Sequence, residues 1–443
     1  MEHNTSNSEK LTLGDKVKAL RKSLKMTQTE LAGNEMTKSM LSQIENNLAT
    51  PSVKNLHYLA SRLGKPVSYF LGEEELSPQV EKLPMEEINS QIEKFKKLYE
   101  EMHFEEAKDI IDGLLEAFSF DKASKLYADL LFKRSECLIE LNQIEEGEAE
   151  TVKVVHLYLK IGMNSDAAKA CMNLISAPWR AFDYEECIKV LDKAQEIYKQ
   201  SINKDLTFEI ENLYLRAIMY SSMNNHNKAF ELLKQAMSIS AENELYYKAD
   251  ELYRIYAAIS LLNMDYDTFM LYIGKALKYA EFTGSKHTLS SYYAMMAVYH
   301  NNIYEPEKAL EYLEKFKPLM SIGEYWYYSE CSKAYYLLKN YHKALECAQA
   351  IVYRYDINFR YDYLRLWSAK IYEGICLNKL GRSSEAVAPI MTAVEKLSVF
   401  PDSEELAFAY KSLSEIYSDS GDYENAFKAL KKADEIKDQL QKK

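Results

Sequence analysis

The chain has 443 residues, of which only 13 are glycine and 9 are proline, and its formal net charge at pH 7 is −12. Both turn-forming residues fall well below their average usage of roughly 7% and 5%, which argues against a protein built of many strands and turns. Residues 1–72 carry 10 Lys and Arg against 6 Asp and Glu, whereas the rest of the chain carries 45 against 61. This distribution limits contact with nucleic acid to the basic N-terminal segment.

The six cysteines form no CxxC pair and have no histidine at metal-ligand spacing. We therefore expect reduced thiols, no metal site and no cofactor. The N-terminal sequence is polar and lacks an apolar segment behind a basic start, and no later apolar run approaches the ~20 residues of a membrane span. The expected location is the cytoplasm, without membrane contact.

The first predicted element is an amphipathic helix, because four apolar residues recur at i, i+4, i+7 and i+11. These residues are Leu13, Val17, Leu20 and Leu24. Thr27 and Glu30 have the spacing of a capping box and predict the start of a second helix. After a break at residues 33–36, Thr37 caps a third helix over residues 38–45.

Two further short helices complete the N-terminal segment. Thr50 followed by Pro51 predicts the start of a fourth helix, which Gly64 ends. Pro66 begins a fifth helix that ends near Leu71.

The third helix carries the residues that we expect to contact DNA. Leu41 and Ile44 face inward, so polar side chains remain on the outer face near the N-terminus, where a recognition helix meets base edges. Lysine can donate to guanine and glutamine can bond adenine in both directions, and a polar residue that begins the second helix is placed to contact phosphate. The candidate DNA-contact residues are Gln28, Thr37, Lys38, Ser39, Ser42, Gln43 and, as weaker phosphate candidates, Asn46 and Asn47.

An ordinary five-helix bundle with solvated polar faces is the alternative for a single polar helix. The whole string from Gln28 to Ser52, with Leu31-Ala32, Leu41-Ser42 and Ile44-Glu45, resembles the Cro/repressor-type (XRE) helix-turn-helix family. The chain departs from that pattern in a turn one residue shorter and without its usual glycine. We expect Gly33 or Asn34 to adopt the left-handed conformation instead.

The remainder of the chain is repetitive. Nine segments follow or approximate the form aromatic-x-x-small, and their last residues are spaced 40, 40, 42, 40, 40, 35, 42 and 40 apart. Each segment is predicted to open the second helix of a hairpin, at residues 104, 144, 184, 226, 266, 306, 341, 383 and 423. Twelve residues before the small anchor, seven of the nine units carry another small residue: Ser135, Ala217, Ala257, Ala297, Ser332, Gly374 and Ser414. Small residues at both positions allow two helices to cross closely.

These units resemble tetratricopeptide (TPR) repeats. The resemblance implies an α-solenoid, a right-handed superhelix of about nine hairpins with an extended concave face lined by the first helix of each hairpin. Carried over position by position, that face holds Asn173, Trp179, Tyr214, Arg254, Asn301, Trp326, Tyr336 and Asn378. Asparagine can hold an extended peptide backbone, and aromatic residues supply apolar pockets. With 35 tyrosines in the chain, core packing is the alternative for any one aromatic residue.

The predicted fold class is thus all-α. The expected domains are a five-helix DNA-binding domain over residues 11–72, an acidic, proline-containing linker over 73–87, and the repeat domain over 88–443. Dinucleotide-binding GxGxxG, Walker-type, HExxH and GxSxG motifs are missing from the sequence, and its eight histidines are scattered. No catalytic residue is predicted, and we do not expect an enzyme.

An XRE domain with a shortened turn followed by about nine TPR-like hairpins resembles the RRNPP family of Gram-positive quorum-sensing regulators, and its size is nearest to the NprR-type members. The resemblance implies a homodimer or higher oligomer, a short signalling peptide bound in the concave groove, and an inverted-repeat operator of double-stranded DNA. Two alternatives stay open. One is a Rap-like interaction protein that binds a phosphorelay response regulator, with or without DNA binding. The other is a peptide-independent repressor whose repeats only oligomerise.

Overall fold

The computed structural model describes residues 12–33, 35–65, 67–71, 84–202, 204–320, 323–353, 357 and 359–441. Helices are the only regular secondary structure in this part of the chain, so the predicted all-α fold class is confirmed. The chain divides into two compact units, Met1–Glu86 and Glu87–Lys443. We call the first unit the head and the second the array.

Five short helices form the described part of the head. They are α1 (Leu13–Ser23), α2 (Gln28–Ala32), α3 (Lys38–Glu45), α4 (Val53–Arg62) and α5 (Val67–Leu71). Thr27 and Glu30 form the predicted capping box, and the Thr37 hydroxyl accepts from the backbone N–H of Met40. The core contains Val17, Leu31, Leu41, Ile44 and Leu59, which are all fully buried.

Two details of the predicted head are wrong. The cap of α4 is Ser52, whose hydroxyl accepts from the N–H of Asn55, and not Thr50, because the helix begins two residues later than the Thr-Pro pair suggests. Leu24 is the C-cap of α1 and is 51% exposed, so it does not belong to the buried stripe. Pro66, predicted to begin α5, lies outside the described residues.

The turn between α2 and α3 uses the glycine that the sequence offers. Gly33 has φ of +54°, and a Cβ at this position would overlap the Tyr58 hydroxyl. A larger residue is therefore excluded on both conformational and steric grounds. Asn34, the other residue predicted for this role, lies outside the described residues.

The array consists of helical hairpins whose second helices pack on the outside of the first. The first helices are α6 (Met85–Glu100), α8 (Lys125–Glu140), α10 and α11 (Asn164–Met172 and Ser176–Arg180), α13 (Leu206–Ser222), α15 (Ala249–Leu262), α17 (Lys286–Asn302), α19 (Glu324–Leu337), α21 (Arg360–Lys379) and α23 (Glu404–Asp419). The second helices are α7 (Phe104–Ala117), α9 (Ile144–Lys160), α12 (Tyr184–Lys199), α14 (His226–Glu242), α16 (Tyr266–Thr283), α18 (Pro306–Phe316), α20 (Tyr341–Gln349), α22 (Ser383–Leu397) and α24 (Tyr423–Gln441).

All nine second helices begin at the residue that the sequence predicted. Helix α6 begins at Met85, inside the predicted linker, and residues 73–83 of that linker lie outside the described residues.

The same turn explains the regular spacing. Two residues before each second helix stands a residue with positive φ, and only two of the nine are glycine. In the first hairpin, His103 N–H donates to the Leu98 carbonyl and Met102 N–H to the Tyr99 carbonyl, which closes α6 with a Schellman-type turn. A non-glycine residue in the left-handed conformation lowers the stability of the fold by about 1–2 kcal/mol. Asn142 and Met264 are two such residues in the array.

The small residues mark close helix crossings, as predicted. A Cβ on Gly147 would come within 2.7 Å of Ile139 Cγ1 and 3.1 Å of the Ser135 carbonyl. In the seventh hairpin, the Ser332 hydroxyl donates to the Ala344 carbonyl at 2.9 Å. Backbone and side chain therefore meet directly where both helices carry a small residue.

The third hairpin departs from the pattern because its first helix is broken. A 3₁₀ segment, Asn173–Ile175, separates α10 from α11. Pro178 explains the break, because proline has no N–H to donate and its ring clashes with the carbonyl four residues earlier, at Leu174.

The first helices of consecutive hairpins pack on one another and form the inner layer of the array, in the order α13, α15, α17, α19, α21 and α23. The layer curves until distant hairpins meet. Arg360, at the start of α21, donates to the Ser222 carbonyl at 3.3 Å and to Asp402 Oδ1 at 3.1 Å. Tyr361 donates to the Ser221 carbonyl at 2.8 Å. The turn of the fourth hairpin therefore closes against the eighth and ninth.

Candidate functional sites in the two units

The outer face of α3 in the head is polar and free of internal partners. Lys38, Ser39 and Gln43 are exposed, and Ser42 is half-buried, whereas Leu41 and Ile44 are buried as predicted. None of these four polar side chains has a hydrogen bond or ion pair within the described residues. Thr37 is exposed, but its hydroxyl is engaged as the helix cap. Four side chains therefore remain available to an external partner.

Gln28 is held by a buried ion pair that sequence reasoning missed. Arg21 Nε lies 2.5 Å from Glu45 Oε1, and Gln28 Nε2 donates to Glu45 Oε2 at 2.9 Å. Burial opposes ionisation of Glu45, but the hydrogen bonds from Arg21 and Gln28 outweigh it and lower the pKa of the carboxyl. The triad joins α1, α2 and α3, and it leaves the second amide hydrogen of Gln28 available.

Asn46 and Asn47 are partly engaged within the head. Lys18 Nζ donates to Asn46 Oδ1 at 3.2 Å, and the backbone N–H of Gly14 donates to Asn47 Oδ1 at 3.0 Å. Asn47 has φ of +60°, and both side chains are exposed. Their oxygens fix α1 against the end of α3, so only their amide N–H groups can serve the predicted phosphate contact.

In the array, four of the eight predicted groove residues join one polar network on the inner layer. Tyr214 donates to Glu251 Oε2 at 3.1 Å, and Arg254 Nη2 lies 2.6 Å from the same oxygen. Burial opposes ionisation of Glu251, but Arg254 outweighs it and lowers the pKa of the carboxyl to about 2. This part of the network connects the fourth and fifth hairpins.

The other two predicted residues of the network are Asn301 in the sixth hairpin and Trp326 in the seventh. Trp326 Nε1 donates to Asp362 Oδ1 at 3.1 Å, and the Arg365 guanidinium lies 4.0 Å from the Trp326 ring centroid. Arg365 pairs with Glu330, which also accepts from Asn301 Nδ2 at 2.8 Å. Asn301 is only 1% exposed. The prediction that it lies open on the groove surface is therefore wrong.

The two parts of the network are close enough for their charges to interact. The positive charge of Arg254 in the fifth hairpin lowers the pKa of Asp362 in the eighth, although burial raises that pKa overall. These residues are 108 positions apart in the sequence. The curvature of the array therefore brings charges of distant hairpins together.

Several inner-layer charges are partly exposed yet poorly solvated. Burial raises the pKa of Glu405, which makes no ion pair within the described residues. Burial also lowers the pKa of Lys333, whose ammonium donates to Asn302 Oδ1 at 2.8 Å. Such shifts arise where neighbouring protein excludes most water but leaves the group accessible. We call the inner-layer surface that carries these polar and charged residues the groove.

The remaining predicted groove residues lie outside this network. Asn173 bonds Glu136, and Asn378 donates to Asp419 Oδ2 at 2.8 Å. Trp179 stacks on Phe359 with ring centroids 6.4 Å apart, so it supports the closure between the third and eighth hairpins. Tyr336 contacts Tyr372 edge-on at 5.5 Å.

The principal inner-layer residues that the sequence analysis missed are Glu251, Lys333, Asp362, Arg365, Glu405 and the buried Glu330. A signal existed for some of them. Trp326, Glu330 and Lys333 stand at i, i+4 and i+7 of one first helix and share its inward stripe. Charges on a stripe that also carries a tryptophan mark a polar groove rather than a solvated face.

Neither unit shows features of a metal or membrane site in the part of the chain that the structure describes. No group of three or more His, Cys, Asp or Glu residues there could hold a metal ion. Among the described helices, none combines the length and apolarity needed to cross a membrane.

Comparison with known proteins identifies both parts of the chain. A helix-turn-helix family model matches residues 17–70, and tetratricopeptide-repeat models match residues 166–242 and 409–440. The immunity repressor protein of Bacillus phage phi105 is 33% identical over 135 residues, which are 30% of this chain and 88% of the repressor. None of the matched families is defined by a catalytic activity.

Solved structures resemble this chain at low identity and with TM-scores below 0.5. Bacillus thuringiensis PlcR in complex with the peptide PapR7 and DNA is 15% identical, with a TM-score of 0.42, and covers 62% of this chain and 96% of its own. The apo form of the quorum sensor NprR from B. thuringiensis is 11% identical, with a TM-score of 0.44, and covers 79% and 99%. A Rap protein complexed with competence and sporulation factor is 15% identical, with a TM-score of 0.44, and covers 81% and 99%.

The matched parts stand in the order that the sequence analysis predicted. The chain belongs to the helix-turn-helix family of the phage immunity repressor, and it joins that DNA-binding domain to an array of tetratricopeptide repeats.

Proposed function

We propose that this chain is a transcription regulator whose DNA binding is controlled by a short peptide in the groove of the array. The observation that carries the proposal is the joining of a helix-turn-helix head to a repeat array whose inner layer bears partly exposed charges, of which Glu405 makes no ion pair within the described residues. A ligand there meets charged and amide groups that water solvates poorly, which strengthens hydrogen bonds to a peptide backbone.

In the head, Lys38, Ser39, Ser42 and Gln43 read base edges, and Gln28 contacts phosphate from the position that Glu45 fixes. Two heads in a homodimer recognise an inverted repeat whose half-sites lie an integral number of helical turns apart. The peptide controls the heads only if it binds one arrangement of the dimer more tightly, since equal affinity shifts nothing.

The decisive experiment is calorimetric titration of the purified chain with the peptide encoded beside its gene, followed by DNA binding with and without that peptide. Saturable binding together with a changed DNA affinity supports the proposal. Unchanged DNA affinity at saturating peptide contradicts it, and stoichiometric binding of a response regulator without peptide would favour the Rap-like alternative.

Two sets of variants separate the groove from the head. Asn173→Ala combined with Asn378→Ala should weaken the peptide titration, whereas Asn243→Ala, on the exposed end of α14, should not. A wild-type titration of the double variant would remove both residues from the site.

In the head, Gln43→Ala should relax base preference and weaken DNA binding by about 1–3 kcal/mol. Binding-site selection measures the change in base preference.

A further inference from the structure

Two cysteines of the seventh hairpin lie in contact across its two helices. Cys331 belongs to α19 and is 3% exposed, and Cys347 belongs to α20 and is half-buried against the same apolar cluster. Their thiols lie close enough to interact, and the interaction raises the pKa of Cys331 and lowers that of Cys347. The contact follows from the close crossing of these helices, because Cys331 adjoins Ser332 and Cys347 lies nearly one turn beyond Ala344.

We infer that Cys331 and Cys347 are an oxidisable dithiol, at which a peroxide produces an intramolecular disulfide that joins α19 to α20. The inference is independent of peptide and DNA binding. It concerns a pair of residues that the proposed function does not use.

The environment of each thiol assigns its role. The interaction with Cys331 lowers the pKa of Cys347, and Lys343, one turn earlier in α20, lowers it further, whereas burial and the charge of Glu346 act in the opposite direction. The pKa of Cys331 is raised by the same interaction and by burial. Cys347 is therefore the more acidic and more accessible nucleophile, and Cys331 is the resolving thiol.

The reaction has two balanced steps. The Cys347 thiolate attacks one peroxide oxygen, so an S–O bond forms and the O–O bond breaks; hydroxide leaves and takes up the thiol proton as water. The Cys331 sulfur then attacks the Cys347 sulfenic acid, so an S–S bond forms and the S–O bond breaks. The hydroxyl leaves with the Cys331 proton as a second water. Hydrogen peroxide is thus reduced and both thiols are oxidised.

The other four cysteines provide an internal control. Cys137, Cys171, Cys187 and Cys376 are fully buried, and none has another thiol as a hydrogen-bond partner within the described residues. Burial raises the pKa of Cys137, Cys187 and Cys376 to about 12. Low exposure and a raised pKa both slow oxidation, so these thiols should react after the pair.

The test treats the reduced full-length chain with increasing hydrogen peroxide, alkylates the remaining thiols and maps tryptic peptides by mass spectrometry. Lys333, Lys339 and Lys343 separate the two cysteines into different peptides. We expect a crosslinked Cys331–Cys347 peptide pair at peroxide concentrations that leave the other four cysteines alkylated. Oxidation of any of those four before the pair, or no crosslink at excess peroxide, overturns the inference.

Single variants resolve the order of the steps. In Cys331→Ser, Cys347 should accumulate as a sulfenic acid that dimedone traps, and in Cys347→Ser, Cys331 should stay unreacted at the same peroxide concentration. Dimedone labelling of Cys331 instead reverses the assigned roles and contradicts them. If either variant fails to fold, the crosslink map of the wild-type chain decides the question alone.

Discussion

The head and the array hold their functional side chains in different ways. In the head, the candidate residues on α3 are exposed or half-buried and have no internal partners. The buried Arg21–Glu45 pair behind them holds α1 and α3 together. In the array, the groove residues contact one another, as Tyr214 and Arg254 do through Glu251. The head therefore presents polar side chains that are free to bind a partner. A ligand in the groove must instead compete with hydrogen bonds that already exist there.

This difference predicts where substitutions are costly. A polar residue on the outer face of α3 can change without disturbing the fold, because nothing inside the head depends on it. A charged residue of the groove supports its neighbours as well as any ligand. Function and stability are therefore separable in the head and coupled in the array.

The largest expected effect tests the support behind the head surface. Glu45→Ala leaves Arg21, whose side chain is 12% exposed, without its partner, and we expect a loss of about 3–5 kcal/mol in the stability of the head. Hydrogen exchange of residues 12–71 in the full-length chain measures it.

The control for this substitution is an exposed ion pair in the same unit. Lys54 and Glu35 are 2.9 Å apart, with side chains 82% and 43% exposed. Lys54→Ala should change the stability by less than about 1 kcal/mol. Equal exchange rates in the two variants would show that the buried pair does not support the head.

The second prediction concerns pH and the groove. The pKa of Glu251 is about 2 in the folded chain, below its ordinary value, so its stabilisation is present above about pH 4.5 and is lost as the pH falls towards 2. Glu251→Gln should remove roughly 2–3 kcal/mol at pH 7 and much less near pH 2. All three tryptophans lie in the array, so urea unfolding followed by their fluorescence measures it.

Glu231→Gln is the matched control, because Glu231 pairs with Lys228 on an exposed stretch of α14, where its side chain is 54% exposed. It should leave the difference between neutral and acid stability unchanged. An equal loss for Glu251→Gln at both pH values would mean that its charge does not stabilise the network.

The third prediction tests the close crossings of the array. A Cβ on Gly374 would overlap Ile390 and lie 2.5 Å from the Ala386 carbonyl, so Gly374→Ala should destabilise by about 1–3 kcal/mol. Gly274, in the interior of α16, has open space around the same position, and Gly274→Ala should stabilise by up to about 1 kcal/mol. Tryptophan fluorescence during urea unfolding gives both signs, and two values of the same sign would argue against the crossing.

The sequence predicted those features that depend on neighbouring residues along the chain. The starts of the second helices and the outer face of α3 follow from turns, caps and helical periodicity, which act within a few residues. The small-residue crossings also follow, because both partners lie within one hairpin.

Features that depend on curvature could not be predicted. The approach of Arg254 to Asp362, and the stacking of Trp179 on Phe359, bring together residues of different hairpins. The repeat spacing predicts which helix of each hairpin faces inward. It does not predict how sharply the inner layer curves. For the same reason Asn301 was placed on the groove surface, although Glu330 and its neighbours bury it.

The smallest expected effect concerns the one helix start in the head that was predicted at the wrong residue. Ser52→Ala removes the hydroxyl that accepts from Asn55 N–H and should cost about 1 kcal/mol. Thr50→Ala should cost close to nothing, because Thr50 is exposed and does not cap α4. Faster hydrogen exchange over residues 53–56 in the Ser52 variant alone would locate the cap, whereas faster exchange there in the Thr50 variant would contradict this position.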